Sequence, residues 1–304
     1  MKKDHLGFFA RLYKDRVSYY FLLPFYIVFT IFILIPAILA ISLSFTNYNM
    51  LQQAQFVGFV NYLNLFVRDH QFVTSIKNTL FIALVTGPAG FMIAYLFAYM
   101  INTIGDRFRV FYVTVFYVPS MISGVAMAVV WKVFFANDSY GYLNSFLIDS
   151  GIISEPLQWL QDVNLIVPVI VIISLWMSLG IGFLSFLAGF QLVNKELLEA
   201  GKMDGISSRV QELWYIIVPS MKPQLLFGAI LTIVGSFRVG DIGAALVGFP
   251  SPNDVGLTLV LHMRDYAFIR YELGYACAVA VVLFLMILGF SRWCFSVLGS
   301  NGES

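Results

Sequence analysis

Six long apolar stretches organise this chain, at about 19–45, 77–103, 110–135, 164–190, 224–247 and 274–298, with shorter polar segments between them. Each is long enough, at roughly 20 residues or more, to cross a hydrocarbon core of about 30 Å as a helix. Phe-, Leu- and Ile-rich runs without period-2 alternation predict helices rather than barrel strands, whose lipid-facing and lumen-facing residues alternate. The expected fold class is all-α: a polytopic membrane protein with about six transmembrane helices. Pro24, Pro36, Pro88, Pro119 and Pro168 lie inside or at the rims of these stretches and predict kinks, because neighbouring helices can satisfy the backbone groups that a proline frees.

Two patterns of shorter range lie between the spans. Phe56-Val-Gly-Phe-Val-Asn-Tyr-Leu-Asn-Leu-Phe66 is amphipathic and suits an interfacial helix with its rings at headgroup depth, a substrate site being the alternative. The polar segment 191–223 parses into two short helices. Asn194 is a good N-cap, Glu196 in the first turn is favoured by the helix dipole, and Gly205 can take the left-handed conformation that ends a helix. Ser208 and Gln211 stand at capping-box spacing, and Val210, Leu213, Trp214 and Ile217 repeat at i, i+3, i+4, i+7 to give one apolar face. Pro219 and Pro223 mark re-entry into the next span, since neither continues the hydrogen-bond ladder behind it. Such an elbow either rests on its own bundle or docks another protein.

Composition agrees with the membrane reading: of 304 residues, 60% are hydrophobic and 12% charged, against roughly a quarter charged in soluble domains. Lys and Arg are one-sided. Lys2, Lys3, Arg11, Lys14, Arg16, Arg107, Arg109, Lys195, Lys202, Arg209, Lys222 and Arg292 fall in one set of segments, and only Arg68, Lys77, Arg264 and Arg270 in the other. By the positive-inside rule both termini and the elbow are cytoplasmic, while segment 136–163, with four carboxylates and no Lys or Arg, is external. The expected organisation is a cytoplasmic N-terminal segment (1–18), a membrane domain (19–298) containing the 191–223 loop, and a cytoplasmic tail (299–304). The first apolar stretch outruns a signal-peptide core and lacks an obvious small-residue cleavage site, so it reads as a retained span. A net charge of +1 without a basic stripe argues against nucleic acid as a partner. Cys277 and Cys294 lie too far apart along one span to bridge.

The chemistry of catalysis is missing. No Gly-x-x-x-x-Gly-Lys-Ser/Thr phosphate loop occurs, so any nucleotide energy must come from elsewhere. His5, His70 and His262 are scattered without metal-ligand spacing, and no catalytic residue, metal or cofactor is predicted. Asn137-Asp-Ser139 matches a glycosylation acceptor too short to carry weight. Charges inside spans are few: Lys132 near an external rim, and Arg238 with Asp241 in the fifth span. At i, i+3 the latter two are expected either to neutralise one another or to serve a pathway, with Gly235, Gly240 and Gly243 allowing close helix approach.

The residues Glu199-Ala200-Gly201, Asp204-Gly205, Ile216, Val218-Pro219 and Pro223, spread over about 25 positions, resemble the Glu-Ala-Ala signature of membrane subunits of binding-protein-dependent ABC importers. Over nearly its whole length the chain resembles the MalF/UgpA-type permeases of carbohydrate importers. Leu187-Ala-Gly-Phe-Gln191 leading through Lys195-Glu-Leu-Leu-Glu199, Phe56-Val-Gly-Phe59 with Asn61-Tyr62, Asn78-Thr79 and Gly274-Tyr-Ala276 carry the rest of the likeness. Gly201 stands where a second Ala is usual, Ile206 where Ala is common, and Gly248-Phe-Pro250 where Gly-Gly-Pro is frequent.

The resemblance implies that the elbow is a coupling helix inserted into an ATPase subunit, with Glu199, Ala200, Gly201, Asp204, Gly205 and Pro219 as its working residues. Glu199 either meets the partner or pairs locally with Lys195 or Lys202. It implies a second, similar permease chain, two ATPase subunits that use ATP-Mg, an extracytoplasmic binding protein, a carbohydrate substrate and a bacterial-type inner (cytoplasmic) membrane. In related permeases the middle of the fifth span borders the substrate cavity, so Phe237, Arg238 and Asp241 are pathway candidates. Trp176 and Tyr117 join them as rings that either stack on sugars or fill the core. An ion-driven secondary transporter is the alternative from another class and predicts broken helices and midplane carboxylates. A membrane-embedded enzyme lacks any nucleophile-base constellation.

Overall fold

The protein is described by a computed structural model over residues 16–299. The basic residues Lys2, Lys3, Arg11 and Lys14, most of the expected N-terminal segment and the tail at 300–304 lie outside the described residues. Helices and turns make up the rest, with one isolated bridge between Thr46 and Phe56. Five stretches are long and apolar enough to cross a membrane: Tyr19–Leu43, His70–Asn102, Val163–Leu192, Lys222–Val247 and Leu273–Ser296. The pair Arg107–Met121 and Gly124–Phe134, bent by 101°, makes a sixth if counted as one span.

The first span comprises α1 (Arg16–Phe29) and α2 (Ile35–Leu43), joined by the π-helical turn Thr30–Leu34. The wider turn ends just before Pro36, whose missing N–H and bulky ring would strain a regular ladder. Pro24, Pro88 and Pro168 sit within unbroken helices. The interfacial helix expected over 56–66 is shorter: Phe56 is held in the bridge, and α3 (Val60–Leu63) runs into a π-helical turn, Asn64–Arg68. Asn61 and Leu65 turn inward while Phe59, Leu63 and Phe66 remain exposed.

Three helices form the centre: α4 (His70–Asn102), then, beyond α5 (Asp106–Met121), α6 (Gly124–Phe134), α7 (Tyr142–Asp149) and α8 (Val163–Trp176), α9 (Ile181–Leu192), and finally, past the elbow helices α10 (Lys195–Met203) and α11 (Arg209–Glu212), α12 (Lys222–Phe237). Close approach here requires a missing side chain. A Cβ on Gly228 of α12 would lie 2.3 Å from the Phe186 ring of α9. The chain closes with α13 (Asp241–Val247), α14 (Leu259–Arg264), continued by the π-helical turn Asp265–Ile269, and α15 (Leu273–Gly299).

Three of the predicted spans are interrupted. The third stops at Met121, two residues after Pro119; Ile122 is extended, and Ser123 starts α6 by accepting a hydrogen bond from the Ala126 amide at 3.3 Å. The fourth breaks between Trp176 and Ile181, and the fifth between Phe237 and Asp241. A helix the hydropathy pattern does not predict, α14, begins at Thr258 inside the bundle. The Leu259 amide donates to Thr79 Oγ1 at 2.9 Å, about 14 Å along α4 from its start at 1.5 Å per residue.

Candidate functional site: a cavity and an elbow

The three interruptions converge. A cavity of about 770 Å³ is lined by Tyr117, Ser120 and Gly124 around the first break, by Ser178 and Gly180 at the second, and by Arg238, Val239 and Gly240 at the third. Irregular backbone is tolerated within a membrane only where it is buried in protein or faces a water-accessible space. Helix breaks and cavity are therefore one feature.

Arg238 and Asp241 both line this cavity, and of the two alternatives open for them the mutual ion pair is not formed. The turn between α12 and α13 removes the helical i, i+3 relation, and the Asp241 carboxylate instead accepts a hydrogen bond from Arg264 Nη1, on the last residue of α14. Arg238 is exposed and has no ion pair among the described residues. Tyr117 lines the cavity. Phe237 does not; it is 2% exposed and packs on Phe290 with Leu259 and Val279 nearby. Trp176 stands edge-on to Trp131 outside the lining. Of the three glycines expected at close contacts, Gly240 and Gly243 meet Val260 and Ile170, whereas Gly235 faces open space at the cavity wall.

The elbow is built from local signals. Asn194 Oδ1 accepts from the Glu196 amide at 2.9 Å and starts α10. Gly205 takes φ +94°. The Ile206 amide then donates to Gly201 O at 2.9 Å and the Gly205 amide to Lys202 O at 3.3 Å, the pair of bonds that closes a Schellman motif. Ser208 and Gln211 form a reciprocal capping box at the start of α11. A π-helical turn, Leu213–Ile217, follows and absorbs Pro219.

Ile217 and Met221 are buried against Phe186, Phe190 and Ala98, with Leu198 and Leu213 packed beside them. The expected apolar face is thus split: Leu213 and Ile217 turn inward, while Val210 and Trp214 are each 65% exposed. Gly201 is buried beneath Ile216, whose Cδ1 would lie 2.4 Å from an added Cβ, so the larger Ile216 fills the space a second alanine would need. Glu199, Ala200, Asp204, Gly205 and Pro219 face outward, and no ion pair joins Glu199 to Lys195 or Lys202 among the described residues.

At the opposite end of the bundle lies a polar cluster that periodicity does not reveal. Asp69 caps α4 through the Phe72 amide at 2.9 Å and accepts from Tyr275 Oη at 2.8 Å. Its Oδ2 also contacts His262 Nε2 at 3.0 Å and accepts from Tyr266 Oη at 3.3 Å. Burial opposes ionisation of Asp69, but the bonds from His262, Phe72 and Tyr275 outweigh it and hold the carboxyl well below its usual range. Arg270 donates to Asp265 at 2.7 Å and lies 4.3 Å over the Tyr266 ring. The sequence signal for this cluster was an Asp before a helix, a single His and paired Tyr residues, none of them distinctive alone. Among the described residues no group of three or more His, Cys, Asp or Glu is placed to hold a metal.

A multispan bundle whose interrupted helices surround one cavity, with a capped elbow packed against the same helices, is the architecture of a membrane transport component. The chain belongs to the family of binding-protein-dependent transport system inner membrane components, whose pattern matches residues 87–293. It is 29% identical to the arabinooligosaccharides transport system permease protein AraP of Bacillus subtilis over 95% of this chain and 91% of that one. It is 29% identical to the lactose transport system permease protein LacF of Rhizobium radiobacter over 90% of this chain and 91% of the other. Its fold superposes on a chain of a bacterial ABC transporter involved in import of the acidic polysaccharide alginate, with a TM-score of 0.79, 23% identity, and coverage of 97% and 99%. Broken helices, expected of a secondary transporter, are present here in a member of this family.

Proposed function

We propose that this chain is the translocating permease subunit of an ATP-driven importer for a sugar or oligosaccharide, with both termini and the elbow on the cytoplasmic side of a bacterial-type inner membrane. Two ABC ATPases using ATP-Mg dock on the 191–223 loop, and a substrate-binding protein delivers cargo to the opposite face. The chain itself contributes no catalytic group. The sugar class follows from the relatives, whose names assign them arabinooligosaccharides and lactose.

The observation that carries this reading is the continuity between elbow and cavity. Ile217 and Met221 share one buried cluster with Phe183, Phe186 and Phe190 of α9, and α9 begins and α12 ends at breaks that line the cavity. A rigid-body push on the elbow is transmitted through close-packed side chains to the two helices whose ends shape the path. Glu199 and Asp204, exposed beside Leu197, Met203 and Trp214, offer a mixed apolar and acidic surface to the ATPase.

A second permease chain completes the path. None of the most apolar window of the first span, Tyr19–Leu43, is buried within this chain, against 28–39% for the other four long spans. Such a face is covered by lipid or by a partner's helices, and we assign it in part to the partner.

The test is a reconstituted complex of both permeases, the ATPases and the binding protein in vesicles. Gly205→Val forces a β-branched residue into a left-handed turn and is expected to abolish substrate-stimulated ATP hydrolysis and uptake while basal hydrolysis persists. Unchanged stimulation and uptake in a Gly205→Val complex would sink the lever.

A further inference from the structure

Of the seven hydroxyl-bearing side chains that line the cavity, five donate to carbonyls of their own helices, while Ser174 Oγ has no hydrogen-bond partner among the described residues and Tyr117 Oη keeps its donor. Thr86 and Ser120 donate to Ile82 O and Tyr117 O at 2.7 Å each. Ser178 donates to Leu175 O at 2.6 Å, and Thr232 and Ser236 to Gly228 O and Ile233 O at 2.8 Å. Each of these five lining hydroxyls has spent its proton on its own helix and retains only acceptor capacity. A guest that donates from several O–H groups suits such a wall, with Ser174 and Tyr117 left to donate in return.

The charges are sorted as well. Asp241 is engaged by Arg264, which comes from α14 and is not part of the lining. Arg238 has no such partner among the described residues and is exposed to the cavity. A guanidinium has five donors in a planar fork and no acceptor, a geometry that matches carboxylate or phosphate oxygens.

We propose that Arg238 is a specificity-determining residue, and that the cavity takes a polyhydroxylated substrate carrying a carboxylate or phosphate group. The inference rests on the reading of the cavity as the substrate path. A structural role for Arg238 is the competing explanation, because it caps the C-terminal end of α12, where a cation is favoured by the helix dipole.

The experiment uses the full transporter complex in nanodiscs, without binding protein, and measures direct binding of three probes. These are an oligouronide, the same oligomer with its carboxyl groups reduced to hydroxymethyl, and a hexose phosphate. The wild type is expected to bind at least one acidic probe about tenfold or more tightly than the reduced oligomer, the scale of one charge-assisted fork. Whichever acidic probe shows the preference identifies the anion. Arg238→Gln should remove the preference and leave affinity for the neutral oligomer and the melting temperature unchanged, and Arg238→Lys should retain part of it.

Equal binding of acidic and neutral probes by the wild type overturns the assignment to Arg238 and leaves the cavity reading standing. A loss in Arg238→Gln that is the same for acidic and neutral probes overturns it in favour of a structural role. Binding of none of the probes overturns both the inference and the cavity reading.

Discussion

The two ends of this bundle are fastened by different means. At the elbow, every turn is set by residues within a few positions of one another: Asn194 with Glu196, Gly201 with Ile206, Ser208 with Gln211. At the other end, one carboxylate, Asp69, gathers side chains from positions 262, 266 and 275, which lie 193, 197 and 206 residues away in the chain. The first end is a locally bonded unit held to the bundle by apolar contacts. The second stitches α4, α14 and α15 together and has little freedom to shift without breaking polar bonds in a partly dehydrated site.

The largest effect should come from cutting that stitch. Asp69→Ala removes a helix cap and leaves the buried His262 ring and the Tyr275 hydroxyl without their acceptor. At about 1 kcal/mol for the cap and 1–3 for each orphaned group, the cost is about 3 kcal/mol or more. It is read as a fall in melting temperature of the purified complex. Asp69→Asn, which keeps an acceptor, should cost less.

The pH dependence has a definite sign. Because Asp69 ionises more readily when folded, its contribution is fully present above its ordinary value of 3.8 and is lost as pH falls below that value toward the folded one. The gap in melting temperature between wild type and Asp69→Asn should therefore narrow on acidification below pH 3.8. A gap that widened there would contradict the assignment.

Next in size is Gly201→Val at the elbow. The added side chain meets Ile216 and Ile206, and overpacking of this kind costs about 1–3 kcal/mol. The nearest atom is the end of a flexible side chain, so Gly201→Ala should be tolerated by rotation of Ile216, and Ile216→Ala should restore stability to Gly201→Val. Failure of that rescue would mean that Gly201 is fixed by something other than the space Ile216 occupies.

The same contrast explains what was legible in the sequence. Five of the six spans in outline, the elbow, its caps and the stop at Gly205 follow from hydropathy and from hydrogen bonds made within one turn, and they lie where the sequence places them, whereas the third span is a pair of helices bent by 101°. The breaks at Ile122, Met177–Gly180 and Arg238–Gly240 were hidden because apolar residues continue through them, so hydropathy sees one span where the backbone makes two helices. Small and polar residues mark each break: Pro119 and Ser123, Ser178 and Gly180, Gly240. A search for caps inside apolar runs would have found Ser123. Of the two readings left open for Arg238 and Asp241, the ion pair fails for the same reason, since i, i+3 spacing brings side chains together only on an unbroken helix. The Asp69 cluster depends on contacts across nearly the whole chain, and no local pattern announces them.

The smallest effect tests whether the elbow is as local as it looks. Ser208→Ala removes one half of the capping box and should cost about 1 kcal/mol, with the Gln211 half still bonded to the Ser207 and Ser208 amides. Because these bonds join only neighbouring residues, hydrogen exchange should quicken at the amides of 208–212 and stay unchanged at 259–270, beside Asp69. The buried anchors Ile217 and Met221 lie beyond the cap, so the elbow should fray at its tip and keep its seat on α9. Faster exchange around Asp69 in this variant would show that the two ends are energetically joined, and the elbow would then have to be described as part of one continuous cooperative unit.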